Sequence, residues 1–220
     1  MLAAIGYVVM VFIRIPLIPA ASFLEYDPKD VLFVIIGFLI GPVEALISII
    51  LVCLLEMVTV SDSGPIGLLM NVIASVFFVM PAALIYRKFK TLPGAIGGLA
   101  TGVVSMTASM LLWNYFITPL YMGAPREAVA AMLLPVFLPF NAIKATINMA
   151  IALIIYKPIS KLFHSLGISK KVEKNAAGAS DNSTEGKEKA AHKFTPVAII
   201  VGFVLLLVCI AAILLFKLNA

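Results

Sequence analysis

Charged side chains are scarce in this chain. Asp, Glu, Lys and Arg supply 12% of its 220 residues, whereas 62% are hydrophobic. A soluble domain usually carries about twice that share of charge, and a soluble fold of this size could not bury so much apolar surface. The apolar runs do not alternate with polar residues, which predicts several membrane-spanning helices rather than a barrel.

Cysteine and histidine are also rare. Both cysteines, Cys53 and Cys209, lie inside apolar runs, and both histidines lie outside them. A disulfide, a metal site or intramembrane histidine chemistry is therefore not expected. The sequence also lacks a G-x-x-x-x-G-K-[ST] phosphate loop and the motifs H-E-x-x-H and G-x-S-x-G. These absences argue against an enzyme.

The apolar residues form seven segments. They cover about residues 1–13, 31–40, 43–60, 66–86, 94–117, 128–156 and 197–216. The polar stretch before the last segment is rich in Lys, Ala, Gly and Ser and is typical of a disordered linker. We predict an all-α membrane protein: a compact six-helix bundle in residues 1–163, a cytoplasmic linker in 164–195, and one appended transmembrane helix in 196–217.

The basic residues predict the orientation. With the N-terminus in the cytoplasm, the inner loops carry Arg87, Lys88 and Lys90 and the basic region that begins at Lys157, while the outer loops carry only Lys29 and Arg126. This asymmetry follows the positive-inside rule. The same clustering beside membrane segments accounts for the net charge of +5 without a nucleic-acid partner.

Polar residues within the apolar segments converge on one leaflet. In this orientation the outer ends of the helices carry Arg14, Glu56, Asn71, Asn114, Asn141 and Lys144, close to the loop 24–30. The inner halves are nearly featureless, whereas a channel would need polar groups through the whole depth. The pattern therefore predicts a pocket that opens outward and captures a solute.

The stretch 139–148 is the most informative. Asn141, Lys144 and Asn148 stand at i, i+3 and i+7, on one helical face. Their amides and ammonium could satisfy the edge of a flat heteroaromatic compound, with Tyr115 and Phe140 as stacking faces.

Structural interpretations of these polar residues remain open. Asparagines often join neighbouring membrane helices. Glu56 could pair with Lys144 as a buried structural pair. Asp27 and Asp30 are interpreted as helix caps, and Arg14 could simply reach the outer surface.

Several stretches together resemble one family. They are the loop 24–31, the Gly41-Pro42 turn, the stretch 63–67 with Asn71, the pair Asn114-Tyr115 with residues 119–121, and Asn141-x-x-Lys144-x-x-x-Asn148 after Pro139-Phe140. In order and spacing they resemble the riboflavin-specific substrate-binding subunit (S component, RibU type) of energy-coupling factor (ECF) vitamin importers. The resemblance covers about residues 1–163.

The resemblance implies a function for this bundle. It implies that riboflavin, as the transported ligand, is held near the outer surface of a bacterial cell membrane under the first loop, in contact with Leu24, Asn114, Asn141 and Lys144. Glu56, Asn71, Tyr115, Phe140 and Asn148 would lie around this site. The implied partners are a transmembrane coupling subunit and two cytoplasmic ATPases. The alternatives are another vitamin or heterocycle as ligand, or a membrane scaffold without transport.

Overall fold

The computed structural model describes residues 1–17, 24–60 and 64–165. The predicted C-terminal helix and the linker from residue 166 onward lie outside the described residues. The helix count of six plus one therefore stays a prediction, while the described part is mostly helical, as expected for an all-α membrane protein.

The elements follow one another along the chain with short connections. They are α1 (Leu2–Phe12), β1 (Ile15–Pro16), β2 (Glu25–Tyr26), α2 (Lys29–Leu39), α3 (Pro42–Thr59), α4 (Gly64–Phe89), α5 (Leu92–Met122), α6 (Arg126–Met132), a π-helical turn (Leu133–Phe137) and α7 (Leu138–Ser165). Four stretches are long and apolar enough to cross a membrane: Pro42–Thr59, Gly64–Phe89, Leu92–Leu120 and Arg126–Tyr156. The last of these joins α6, the π turn and α7, so the described chain is a multi-pass membrane protein.

Helix α2 lies at the centre of the bundle. Every residue from Lys29 to Gly37 is buried, and the helix packs against α1, α3, α4 and α7. An apolar helix in a membrane protein can be covered by lipid or by protein, and here the four neighbouring helices cover α2. This position explains why α2 is only 11 residues long and is not among the four long spans.

Proline and glycine set several helix ends, near the predicted boundaries. Pro42 occupies the first turn of α3, where its missing N–H costs nothing. The Thr91 side chain caps α5 by accepting a hydrogen bond from the Gly94 N–H at 3.2 Å. Gly123 ends α5 in the left-handed region at φ 61°, which favours glycine.

Helices α4 and α5 pack closely because two glycines of α5 face the α4 backbone. A Cβ atom added at Gly98 would lie 2.9 Å from the Ala82 carbonyl oxygen, and one at Gly102 would collide with the Phe78 carbonyl oxygen. Small residues at a helix interface allow backbones to approach in this way.

A two-stranded antiparallel pair was not expected. Strands β1 and β2 pair Ile15 with Tyr26 and Pro16 with Glu25. Two residues per strand are too few for an alternating pattern to appear in the sequence. The pair places Arg14 and the residues after Tyr26 at the same end of the bundle, which we call the polar end.

Candidate substrate-binding site

Six charged residues meet at the polar end. They are Arg14, Lys29 and Lys144 on the positive side and Asp27, Asp30 and Glu56 on the negative side, and all are buried except the half-buried Arg14. We call these six residues the charge cluster. Because it holds three charges of each sign, the cluster is formally neutral, which lowers the cost of burying ions in a low-dielectric environment.

Asp27 lies between two ammonium groups. Its Oδ2 atom is 3.0 Å from the Lys144 Nζ of α7 and 3.2 Å from the Lys29 Nζ of α2. Its Oδ1 atom also accepts a hydrogen bond from the Lys29 backbone N–H at 3.3 Å. One carboxylate therefore joins the first loop to the predicted ligand-binding face of α7.

The contacts continue with alternating sign toward α3 and α1. Lys29 Nζ is 2.8 Å from Glu56 Oε2, and the other oxygen of Glu56 is 2.8 Å from Arg14 Nη2. Arg14 Nη1 is also 3.3 Å from Glu25 Oε2 in β2. The contacts thus form a series in which Asp27, Lys29, Glu56 and Arg14 each touch two charges of the opposite sign. In order along the series the residues are Lys144, Asp27, Lys29, Glu56, Arg14 and Glu25.

Asp30 joins the same end of the bundle through hydrogen bonds. Its Oδ1 atom accepts a hydrogen bond from the Ser75 hydroxyl of α4 at 2.5 Å, and its Oδ2 atom accepts one from the Asn148 amide of α7 at 3.4 Å. Asn148 in turn accepts a hydrogen bond from the Tyr26 hydroxyl at 2.9 Å. These hydrogen bonds satisfy a carboxyl group that water cannot reach.

The electrostatic environment favours the charged form of Asp27. Burial alone would raise the pKa of this carboxyl group, but attraction and hydrogen bonds from Lys144 and Lys29 outweigh burial and hold the pKa well below its usual range.

The polar end reaches deeper than the sequence pattern indicates. Ser75 lies 11 residues from the start of α4, a distance of about 16 Å at 1.5 Å per residue. It stands near the middle of that helix. The polar contacts therefore extend from the first loop to roughly half the length of α4 rather than forming a shallow rim.

Two of the predicted residues on α7 take part in the cluster or its hydrogen bonds. Lys144 contacts Asp27, and Asn148 bonds Asp30 and Tyr26. Asn141 lies on the same helix face, is 2% exposed, and donates one amide hydrogen to the Phe137 carbonyl at 2.8 Å. Phe137 ends the π-helical turn, and such turns recur at functional sites.

Asn114 is held within its own helix. Its amide donates a hydrogen bond to the Met110 carbonyl oxygen at 2.6 Å, and its Oδ1 atom accepts one from the Thr118 hydroxyl at 2.8 Å. Among the described residues, no hydrogen bond joins Asn114 to Asn141 or Lys144. Both asparagines are buried and each keeps one amide hydrogen for another acceptor.

The remaining predicted residues differ in their surroundings. Phe140 is buried and packs against Leu24 of the first loop. Asn71 is half-buried one helical turn before Ser75. Tyr115 is 36% exposed and packs edge-on against Phe116 at 5.2 Å between ring centroids, so its ring faces outward more than toward the cluster.

Three structural interpretations need correction. Glu56 does not pair with Lys144, because it contacts Lys29 and Arg14 instead. Asp27 and Asp30 are not simple helix caps: Asp27 is the buried partner of Lys29 and Lys144, although it also accepts the Lys29 N–H, and Asp30 accepts hydrogen bonds from Ser75 and Asn148. Arg14 does not simply extend to the outer surface, because its guanidinium group contacts Glu56 and Glu25.

Lys29 is the residue that sequence reasoning missed. The sequence pattern assigns it to an outer loop, yet it is 1% exposed. The sequence does contain a signal for it, because Lys29 and Asp30 directly precede an apolar run. Charged residues in the first turn of a fully buried helix need buried partners of opposite charge or hydrogen bonds.

An apolar groove also lies at the surface of the bundle. It has a volume of about 350 Å³ and is lined by Ile50, Leu54, Pro65, Leu68, Leu69 and Val72 of α3 and α4. None of the predicted ligand-binding residues lines it, so this groove is not the predicted pocket.

Comparison with known proteins assigns the family. The sequence model of the family described as the substrate-specific component of ECF transporters matches residues 1–156. The chain belongs to this family of S components. A solved S component of a bacterial ECF transporter superimposes with a TM-score of 0.63 at 28% sequence identity, covering 74% of this chain and 93% of the other.

Two curated relatives of this S component are named for riboflavin transport. The riboflavin transporter RibU of Streptococcus thermophilus is 29% identical over 175 residues, which cover 75% of this chain and 82% of the relative. The riboflavin transporter FmnP of Bacillus subtilis is 30% identical over 156 residues, which cover 67% of this chain and 82% of the relative. The relatives are transport proteins rather than enzymes, which agrees with the absence of catalytic motifs in the sequence.

Proposed function

We propose that this S component captures riboflavin at the polar end of the bundle for ATP-driven import. Two observations together carry the proposal: the names of the relatives and the residues on the buried face of α7. Two relatives are named riboflavin transporters, and the buried face of α7 presents Asn141 and Lys144 within one helical turn of Phe140, which packs against Leu24. The ligand-binding residues are Leu24, Asn114, Asn141 and Lys144.

The chemistry of these groups fits the ring system of riboflavin. Its flat edge alternates carbonyl acceptors with N–H and ring-nitrogen groups, which match asparagine amides and an ammonium group. Phe140 supplies an apolar surface beside them. Since Asn114 and Asn141 each already use one amide hydrogen within a helix, their side chains are oriented before the ligand arrives, which reduces the entropic cost of binding.

The polar end faces outward in this proposal. The exposed Arg87, Lys88 and Lys90 lie at the far end of α4, and basic residues favour the cytoplasmic side. The N-terminus is then cytoplasmic, while the linker in 164–195 and the additional helix in 196–217 stay predictions. A transmembrane coupling subunit and two cytoplasmic ATPases supply the energy, because the chain itself lacks a phosphate loop.

Ligand binding tests the proposal directly. The purified protein should be yellow or should quench flavin fluorescence on titration with riboflavin. Asn141→Ala and Lys144→Ala should each weaken binding by about 1–3 kcal/mol, as lost buried hydrogen bonds do. Glu44→Gln, an exposed change at the other end of α3, is the control and should leave affinity unchanged. Absence of riboflavin binding by the folded protein would refute the function, and unchanged affinity in both alanine variants would refute the site.

Another vitamin or heterocycle is the alternative ligand. A protein that purifies without flavin and is stabilised by a different heterocycle would favour it. A membrane scaffold would show no stabilisation by any such compound, because a ligand stabilises a fold only if it binds it.

A further inference from the structure

We propose that Lys29 and Glu56 are positioning residues for the Lys144 ammonium group. They act through Asp27, and together with Arg14 they form a buried series of alternating charges that links α1 and α3 to the ligand-binding face of α7. The proposal rests on the proposed function for its ligand, and its test separates the two.

The first step concerns the freedom of Lys144. A lysine ammonium is a compact charge on a flexible stem with three rotatable donors. Within the described residues, Asp27 Oδ2 is the one carboxylate oxygen within 4.0 Å of Lys144 Nζ, at 3.0 Å. The position of that oxygen therefore determines where the ammonium stands and which donors remain for a ligand.

The second step concerns Asp27 itself. The residue lies outside any helix, and its carboxylate could swing toward solvent if nothing held it. Lys29 contacts both of its oxygens, one through the ammonium at 3.2 Å and one through the backbone N–H at 3.3 Å. Asp27 is thus oriented by the residue that opens the fully buried helix α2.

The third step concerns Lys29. Its ammonium is shared between Asp27 and Glu56, and Glu56 is the nearer partner at 2.8 Å. Arg14 holds the second oxygen of Glu56 at 2.8 Å. Without Glu56, Lys29 would lose its partner on α3, and this series would no longer tie the Asp27–Lys144 pair to α3 and Arg14.

A charge-balanced double-mutant cycle tests the proposal. Lys29→Met with Glu56→Gln removes one charge of each sign, as does Asp27→Asn with Lys144→Met. All four corners of the cycle, including the quadruple variant, then keep a formally neutral cluster, and Asp30 keeps its hydrogen bonds from Ser75 and Asn148 in each, which limits the cost of burying it. Riboflavin affinity and ligand-free thermal stability are measured for each corner in detergent.

The expected result is a non-additive cycle. In the native background, Lys29→Met with Glu56→Gln should weaken riboflavin binding about tenfold or more. In the Asp27→Asn, Lys144→Met background the same pair of changes should alter affinity less than about twofold, because the residues through which they act are gone. Glu44→Gln on α3 serves as the control and should leave both quantities unchanged.

Two affinity results would overturn the proposal. One is unchanged affinity when Lys29 and Glu56 are replaced in the native background. The other is an equal loss of affinity in both backgrounds, which is the signature of a purely structural role.

Failure of the proposed function remains distinguishable. If the native protein does not bind riboflavin, the ligand assignment is wrong, and the thermal stabilities still decide the inference. Non-additive stabilities would support the coupling of Lys29 and Glu56 to Lys144, and additive ones would overturn it.

Discussion

Replacing Ser75 with alanine isolates one buried hydrogen bond at the polar end. The Ser75 hydroxyl lies 2.5 Å from Asp30 Oδ1, and both side chains are about 1% exposed. Ser75→Ala removes the donor without adding volume or changing the charge of the cluster. It leaves Asp30 with the longer bond from Asn148, at 3.4 Å, as its other described side-chain hydrogen bond.

The expected cost follows from the burial of both partners. Leaving a buried acceptor without its donor costs about 1–3 kcal/mol, and the gain in helix propensity from alanine is at most about 0.5 kcal/mol. We therefore expect Ser75→Ala to lower the free energy of unfolding by about 1–3 kcal/mol. Equilibrium unfolding in mixed micelles, followed by circular dichroism, measures this quantity.

Ser48→Ala is the matched control. Ser48 lies on α3 and donates a hydrogen bond to the Glu44 carbonyl of its own helix at 2.8 Å. Because that carbonyl also has its helical partner, the change should cost less than about 0.5 kcal/mol. Equal effects of the two substitutions would show that Asp30 does not depend on Ser75 and would refute the proposed energetics of the cluster.

Three further predictions address other parts of the molecule. Thr118→Val should weaken riboflavin binding by about 1 kcal/mol, because the Thr118 hydroxyl orients the Asn114 amide, and an unchanged titration would contradict this. Gly102→Ala should destabilise the protein by about 1–3 kcal/mol through its clash with α4, whereas Gly97→Ala, in open space, should not, as thermal unfolding can show. The pKa of Asp27 is lowered in the folded state, so ionised Asp27 should stabilise the fold fully above the unfolded pKa of about 3.9, and this stabilisation should be lost as the pH falls below that value. Asp27 should therefore cause no change in the thermal unfolding temperature between about pH 5 and 8.

Much of the architecture could be predicted because the length of an apolar run and the Pro and Gly residues at helix ends are local features of the sequence. The Gly41-Pro42 turn and the apolar runs locate α3, α4 and α5 within a few residues. The second segment is short for a membrane span, and α2 has only 11 residues, because a helix buried among other helices needs no membrane-spanning length. Its position at the centre of the bundle depends on packing by four other helices, which no local pattern encodes.

The candidate site could be predicted in outline but not in its pairing. Helical spacing placed Asn141, Lys144 and Asn148 on one face, and all three are buried. The partners of those residues come from distant parts of the sequence: Lys144 contacts Asp27, 117 positions away. Ion pairing over such separations depends on how the helices are arranged, so Glu56 was matched with the wrong lysine and Lys29 was overlooked.

The two ends of the bundle join the same helices through different kinds of contact. At the end opposite the cluster, the Tyr86 and Tyr156 hydroxyls bond each other. The Phe38 ring stacks on Tyr86 with 4.2 Å between ring centroids. These three residues join α2, α4 and α7 without a formal charge.

At the polar end the same three helices are joined through Lys29, Asp30, Ser75, Lys144 and Asn148, together with Asp27 of the first loop. Buried ion pairs are often no more stabilising than well-packed apolar residues of similar volume. Since this chain joins the same helices with aromatic residues at one end, stability alone does not account for the charges at the other. Lys144 lies within one helical turn of Asn141 and of Phe140, which packs against Leu24, and this placement supports the proposed role of the charges in orienting the groups that would receive the ligand.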